Sequence, residues 1–408
     1  MRGLIVLQCR CIVSNIWILM PPLRKKTKVG ATPKKRPTVT RKKITVVRPR
    51  RKVAKKSEKK IGPVLTFERF EENPIIVPNP ENHWESKATF NPAALLIDGK
   101  VHLLYRAIGD NDMSVLGYAG SSNGFDVDEQ LPYPAYVQGG KSKSAQHHSK
   151  SMLPFSYCSG GGWNGGCEDP RLTEIGDTVY LLYTAFDGWG SIRIALSSIA
   201  LEDFRQKKWN WVKTVFISPP GEIHKNWILF PEKIKGKFAI LHSISPNVLV
   251  DYFDSFDEFN EKTFIRSYYS GKSGREDEWD NWVRGAGPTP IKTKHGWLVL
   301  YHAMDNSDPN KYKLGAMLLD LEDPTKVLYR TKAPLLEPSE CYENEGFKAG
   351  VVYCCGAVVH EGRLLIYYGG ADMVTCVASI DLNEFLDELI ATGKPTVKKK
   401  STIKRKAK

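Results

Sequence analysis

The stretch Asp98-Gly99-Lys100-Val101-His102-Leu103-Leu104-Tyr105-Arg106 puts a tight turn directly ahead of a short apolar run that ends in polar residues. A turn of Gly and Asp followed by alternating apolar residues is the signature of a strand leaving a hairpin. The phrase returns four times: Gly176-Asp177 into Val179–Thr184, Lys235-Gly236-Lys237 into Phe238–Ser243, His295-Gly296 into Trp297–His302, and Glu361-Gly362-Arg363 into Leu364–Gly369. Aligned on Tyr105, Tyr183, His242, Tyr301 and Tyr368, the copies are 78, 59, 59 and 67 residues apart. That is the spacing of four-stranded blades joined by loops of uneven length. The chain is therefore expected to be all-β, a five-bladed β-propeller.

A second repeat lies upstream of each strand. Pro92, Pro170, Pro231 and Pro288 precede the aligned residue by 13, 13, 11 and 13 positions, and Gly356 takes that place in the fifth copy. Proline lacks an amide donor and drives its predecessor toward extended backbone, so each blade is expected to open on an X-Pro step at the start of a strand. With the strands that follow taken as the innermost ones, Asn91, Asp169 and Lys233 become neighbours at one axial funnel.

The net charge of +14 belongs to the ends of the chain. Residues 1–60 and 394–408 together carry +27, which leaves −13 for residues 61–393. The expected organisation is thus a basic extension (1–60), an acidic propeller domain (61–393) and a basic tail (394–408). Both ends are rich in Lys, Arg, Pro and Thr, have little to bury, and are expected to be disordered. They suit weak contacts with nucleic acid or an anionic surface through counterion release, or serve only as solubilising tails, since no aromatic residue interleaves the charges between Arg24 and Lys60. Cys9-Arg10-Cys11 and Ser14-Asn15 interrupt the apolar first twenty residues, so no transmembrane segment or secretory signal is expected there, and Met20 is an alternative start. The eight cysteines form no CxxC pair, which favours buried thiols and a cytoplasmic location.

The densest polar cluster is Gly165-Gly166-Cys167-Glu168-Asp169-Pro170-Arg171. Glycines allow close approach of a ligand to the backbone, and a carboxylate at an inner edge can act as a general acid. From this segment alone, an Asx turn at Asp169 is the simpler reading. The other funnel candidates change the balance, because Asn91, Arg106, Arg193, Lys233, His242 and Tyr312 are mostly donors or cations and only Asp169 and Asp372 are carboxylates. Such a set suits an anion bound beside one acid.

Several stretches together resemble glycoside hydrolase family 130, the mannoside phosphorylases and hydrolases with a five-bladed β-propeller. They are Asn91-Pro92-Ala93 through Tyr105-Arg106-Ala107, Glu168-Asp169-Pro170-Arg171 through Gly188, Phe230-Pro231-Glu232-Lys233-Ile234, Gly285-Ala286-Gly287-Pro288 through Leu298, Tyr312-Lys313-Leu314-Gly315 through Pro324, and Tyr367-Tyr368-Gly369-Gly370-Ala371-Asp372. The resemblance spans residues 65–390. It implies that Asp169 is the catalytic acid, that inorganic phosphate attacks the anomeric carbon of a β-mannoside with inversion, and that the products are α-mannose 1-phosphate and a shortened acceptor. It also implies proton transfer through the mannose 3-hydroxyl, and symmetric homo-oligomers. An inverting hydrolase needs a second carboxylate as base, about 6.5–9.5 Å from the acid, whereas phosphate needs cationic and amide donors instead.

Carried over by motif, Asn91, Arg106, Arg193, Lys233, His242 and Tyr312 are assigned to phosphate or the saccharide beside it, and Asp372 to the sugar at the cleavage point. No cofactor or metal is expected, phosphate being a co-substrate; His147-His148 have no acidic partner at ligand spacing. The glycine-rich loop 141–166, Trp189 and the pair Trp279/Trp282 are expected to set acceptor preference by stacking on sugar rings. Two alternatives stand beside this reading: a β-mannoside hydrolase of the same fold, and a non-catalytic binding propeller tethered by its basic ends.

Overall fold

The computed structural model describes residues 66–138, 165–186, 192–260, 262–267 and 275–393. The expectations placed on residues 1–60 and 394–408, on 141–164 with His147 and His148, and on Trp189 lie outside the described residues.

The architecture is a five-bladed β-propeller. The described chain opens with β1 (Glu68–Arg69). Blade one follows as β2 (Ala88–Ile97), β3 (Lys100–Ile108), β4 (Met113–Ser121) and β5 (Glu129–Gln130). Blade two is β6 (Gly165–Ile175), β7 (Thr178–Phe186), β8 (Ile192–Ala200) and β9 (Val215–Phe216), with helix α1 (Leu201–Arg205) between its last two strands. Blade three is β10 (Ile228–Leu229), β11 (Phe238–Ser243) and β12 (Leu249–Phe253). Blade four is β13 (Trp282–Ala286), β14 (Ile291–Thr293), β15 (Gly296–Asp305), β16 (Asp308–Leu319) and β17 (Val327–Arg330). After helix α2 (Cys341–Asn344), blade five is β18 (Val352–His360), β19 (Arg363–Gly370) and β20 (Val374–Asp381), and helix α3 (Leu382–Thr392) follows it. β1 pairs antiparallel with β20, so the beginning of the domain supplies the outer strand of its last blade and closes the ring. No helix among the described residues is long and apolar enough to cross a membrane.

The five repeated phrases are β3, β7, β11, β15 and β19. They are the middle strands of their blades, and the expectation that they are innermost is corrected: the axis is lined by the strands before them. There the backbones crowd so closely that a Cβ on Gly356 would lie 2.7 Å from the Pro92 oxygen, and one on Gly287 would lie 2.9 Å from the Cys354 oxygen.

The prolines do not open the strands either. Pro92 and Pro170 sit inside β2 and β6, where the pairing register jumps from Phe90 to Ala93 and from Glu168 to Arg171. Residues in a bulge are out of the ladder, so a missing amide costs nothing there. Just before Pro92 and Pro170 the backbone turns left-handed rather than extended, with φ of 49° at Asn91 and 51° at Asp169. Asn and Asp tolerate that conformation better than other side chains.

The aligned tyrosines have a structural task. Tyr105 donates to Glu85 at 2.7 Å, Tyr301 to Asp280 at 2.6 Å and Tyr368 to Glu343 at 2.9 Å, each carboxylate being fully buried in the segment that leads into its blade. In blade two, Tyr183 pairs with the Tyr136 hydroxyl at 3.1 Å. Blade three has His242 in place of tyrosine, and the β11–β12 register shifts between Leu241 and Ser243, which makes His242 the bulged residue. Bulges re-aim a side chain. This one points toward the axis.

Candidate active site

A cavity of about 430 Å³ opens at the axis, and every blade contributes to its wall. Asn91 and Asp169 occupy equivalent bulges in neighbouring blades, and Asn91 Nδ2 donates to Asp169 Oδ1 at 2.8 Å. Arg106, from the end of β3, donates to the same oxygen through Nη1 at 3.2 Å, to Glu168 Oε1 through Nη2 at 2.8 Å, and to Ser114 through Nε at 3.0 Å. Beneath them Arg171 fills the axis, donating to the Asp169 carbonyl at 2.6 Å, to the Gly287 carbonyl at 3.1 Å and to Asn226 Oδ1 at 3.1 Å. Burial alone would raise the Asp169 carboxyl, but the charges of Arg106, Lys225 and Arg171 outweigh it and hold the group down at about 2.

The opposite wall is built from blades three, four and five. Lys225 comes from the segment before β10, and its Nζ lies 2.9 Å from Glu168 Oε2. His242 is 7% exposed, and neither of its ring nitrogens has a hydrogen-bond partner, the nearest carboxylate oxygen, Asp251 Oδ1, lying 3.7 Å from Nε2. Buried polar atoms left without partners are costly, and here they face a cavity. Arg284 stands over the rings of Trp282 and Tyr312 at 5.0 and 5.4 Å, and its Nε donates to the Tyr312 hydroxyl. Lys348 Nζ lies 4.6 Å from the centre of the same Tyr312 ring. Asp372, at φ 52°, completes the wall. Burial foremost pushes its carboxyl up, Lys348 pulls it back, and the nearby Asp169 charge pushes it up again. The carboxyls of Asp169 and Asp372 are thus driven apart.

Asn91 needs the absence of a side chain opposite it. A Cβ on Gly369 would lie 2.0 Å from Asn91 Oδ1. Gly369→Ala should displace Asn91 from Asp169, with an overpacking cost of about 1–3 kcal/mol. Urea unfolding together with turnover checks this, and a variant as stable and active as the parent would refute it.

A family model described as β-1,4-mannooligosaccharide phosphorylase, of glycoside hydrolase family 130, matches residues 56–390. The chain belongs to family 130. The family match takes in all five blades. The chain is 34% identical over 332 residues to a 1,2-β-oligomannan phosphorylase of Thermoanaerobacter sp. strain X514, covering 79% of this chain and 99% of that protein. It is 33% identical over 328 residues to a β-1,2-mannobiose phosphorylase of the same strain, covering 77% and 96%. Among solved structures, the β-1,2-mannobiose phosphorylase of Listeria innocua in complex with β-1,2-mannobiose superposes with a TM-score of 0.58 at 26% identity, covering 80% of this chain and 99% of its own.

Of the residues that the family 130 resemblance singled out, Asn91, Arg106, Asp169, His242, Tyr312 and Asp372 line the cavity. Lys233 does not. It sits in the exposed turn between β10 and β11, with Nζ 4.5 Å over the Phe238 ring, whereas the cavity lies at the far end of that hairpin. Arg193 is also placed elsewhere. It is clamped over Phe216 and Phe264 at 4.2 and 5.2 Å, and its Nε and Nη2 both donate to the Ser218 carbonyl at the outer edge of blade two. The cations that reach the cavity instead are Lys225, Arg284 and Lys348, which the sequence reading missed. The signal for the first was the polar run His224-Lys225-Asn226 immediately ahead of the apolar Trp227–Phe230. For Arg284 and Lys348 no local signal existed. Of the two tryptophans, Trp282 lines the cavity, while Trp279 stacks on Tyr301 at 6.0 Å within the blade-four core.

Proposed function

We propose that the chain is an inverting phosphorylase that cleaves a β-mannoside with inorganic phosphate, releasing α-mannose 1-phosphate and a shortened acceptor. The observation that carries this reading is the wall facing Asp169: the ring nitrogens of His242, which make no hydrogen bond, stand beside Lys225, Arg284 and Tyr312. A phosphate oxyanion offers acceptors to the His242 ring nitrogens and adds to the contacts that Lys225 and Arg284 already make, and charge-assisted hydrogen bonds make it a strong ligand there. Arg106 is assigned first to the acid and not to that cradle, because three of its five N–H donors go to Asp169, Glu168 and Ser114. It orients the acid instead.

Water as nucleophile would require an ionised base. Among the described residues, Asp372 is the remaining carboxyl in the cavity, and burial drives it toward the neutral form. It fits better as a partner of sugar hydroxyls. The linkage favoured is β-1,2, because the relatives at 34% and 33% identity are both named for it. The reading carries a cytoplasmic location, in which the described thiols of Cys167, Cys341, Cys354, Cys355 and Cys376 stay reduced.

Incubation with β-1,2-mannobiose, with and without phosphate, tests the proposal. Mannose 1-phosphate is expected only when phosphate is present, and mannose released at the same rate without it would overturn the phosphorylase in favour of a hydrolase. Lys225→Ala removes a charge-assisted contact of about 1.5–3 kcal/mol, so the phosphate KM should rise about tenfold to a hundredfold. Initial rates at varied phosphate measure it, and an unchanged KM would remove Lys225 from the cradle.

A further inference from the structure

Glu168 precedes Asp169 in the chain, is fully buried, and stands behind the cavity wall. In a regular strand, consecutive side chains point to opposite faces. The bulge at Asp169 cancels that alternation and brings both carboxylates onto the one guanidinium of Arg106. The second Glu168 oxygen takes Lys225 at 2.9 Å. One buried carboxylate therefore links the cation that orients the acid to a cation of the phosphate wall.

We propose that Glu168 is a positioning residue that couples the two: an anion seated on Lys225 uses up part of that cation's field, and Asp169 then takes one proton from solvent and becomes the acid. The inference rests on the reading of phosphate as nucleophile. Asp169 is faced by Asn91 from β2, Arg106 from β3, Glu168 and Arg171 from its own strand, and Lys225 from the segment before β10. Among the described residues, His302 of β15, Tyr353 and Cys355 of β18, and Asp372 after β19 also lie around it. Among its cations, Lys225 is the accessible one, with 19% of its side chain exposed against 1% for Arg106. Until an anion arrives, Asp169 remains a carboxylate and cannot protonate a leaving group, so the enzyme is guarded against spending its substrate on water.

Glu168→Gln tests the coupling through the pH profile. A general acid works only while protonated, so kcat falls as pH rises past its pKa in the complex. Removing the Glu168 charge leaves Arg106 and Lys225 less neutralised, which favours the ionised form of Asp169. The alkaline limb of kcat should therefore move to lower pH, with kcat reduced about tenfold and the phosphate KM changed less than about threefold. A purely structural residue would leave the limb where it is, and a rise in KM with an unmoved limb would overturn the proposal. Calorimetry on the intact protein, with sulfate as the probe in buffers of different ionisation enthalpy, keeps the test independent of that variant. Sulfate does not titrate near neutral pH. Binding should take up protons in the wild type and not in Asp169→Asn; binding without uptake in the wild type would sink the coupling, even if mannose 1-phosphate is formed. Absence of mannose 1-phosphate would instead sink the phosphorylase reading on which it rests.

Discussion

Asp169→Asn is expected to lower phosphorolysis by about a hundredfold or more and to leave the folded domain intact. A positioned proton donor contributes about 10²–10⁴-fold to rate, and the amide has no acidic proton to give. The shape is kept, because the amide oxygen can still accept from Asn91 Nδ2 and Arg106 Nη1 as the carboxylate does. Release of mannose 1-phosphate measures the first half and a urea unfolding curve the second. A variant that retains a tenth or more of the rate would show that the proton comes from elsewhere, with Asp372 the next carboxyl to test.

Arg106→Ala is expected to fail in a different way from a lost phosphate ligand. The guanidinium is 1% exposed and holds two carboxylates that are themselves almost out of water. Removing one partner of a buried ion pair costs about 3–5 kcal/mol, since it strands the other charge. Here the cost falls on Glu168, which keeps Lys225, and on Asp169, which keeps Asn91. Lower unfolding midpoints should accompany a collapse of kcat, because the acid loses its orientation. If the variant is as stable as the parent and only its phosphate KM rises, Arg106 belongs in the cradle and the role argued here is wrong.

The same residue shows where reading the chain succeeds and where it stops. Arg106 was singled out from the polar end of the first repeated strand, a position that recurs in every blade, and it lines the cavity. Its task was not legible, since competition for its donors by Glu168 and Asp169 depends on a bulge that flips one of two consecutive side chains. Lys233 was chosen because it follows a proline in the third copy, yet the hairpin carries it to the end away from the axis. Lys225, ahead of the same hairpin, reaches the cavity. In that copy the proline offset of 11 rather than 13 already marked a departure from the other blades. His242 was chosen at a place where the other blades have tyrosine, and the structure supplies the reason: the β11 bulge turns it away from a structural hydroxyl's position and into the cavity wall.

By itself the sequence determined the number of blades, the acidic character of residues 61–393 and the identity of the carboxylate candidates, because turns, strand alternation and charge are local chemistry written in order along the chain. Which charges meet was decided only by the tertiary structure. Arg284 and Lys348 join Lys225 and His242 around one cavity because ring closure sets the distances between blades. The state of Asp169, held at about 2 against its own burial, follows from cations on three different segments whose fields add up only once the ring is shut.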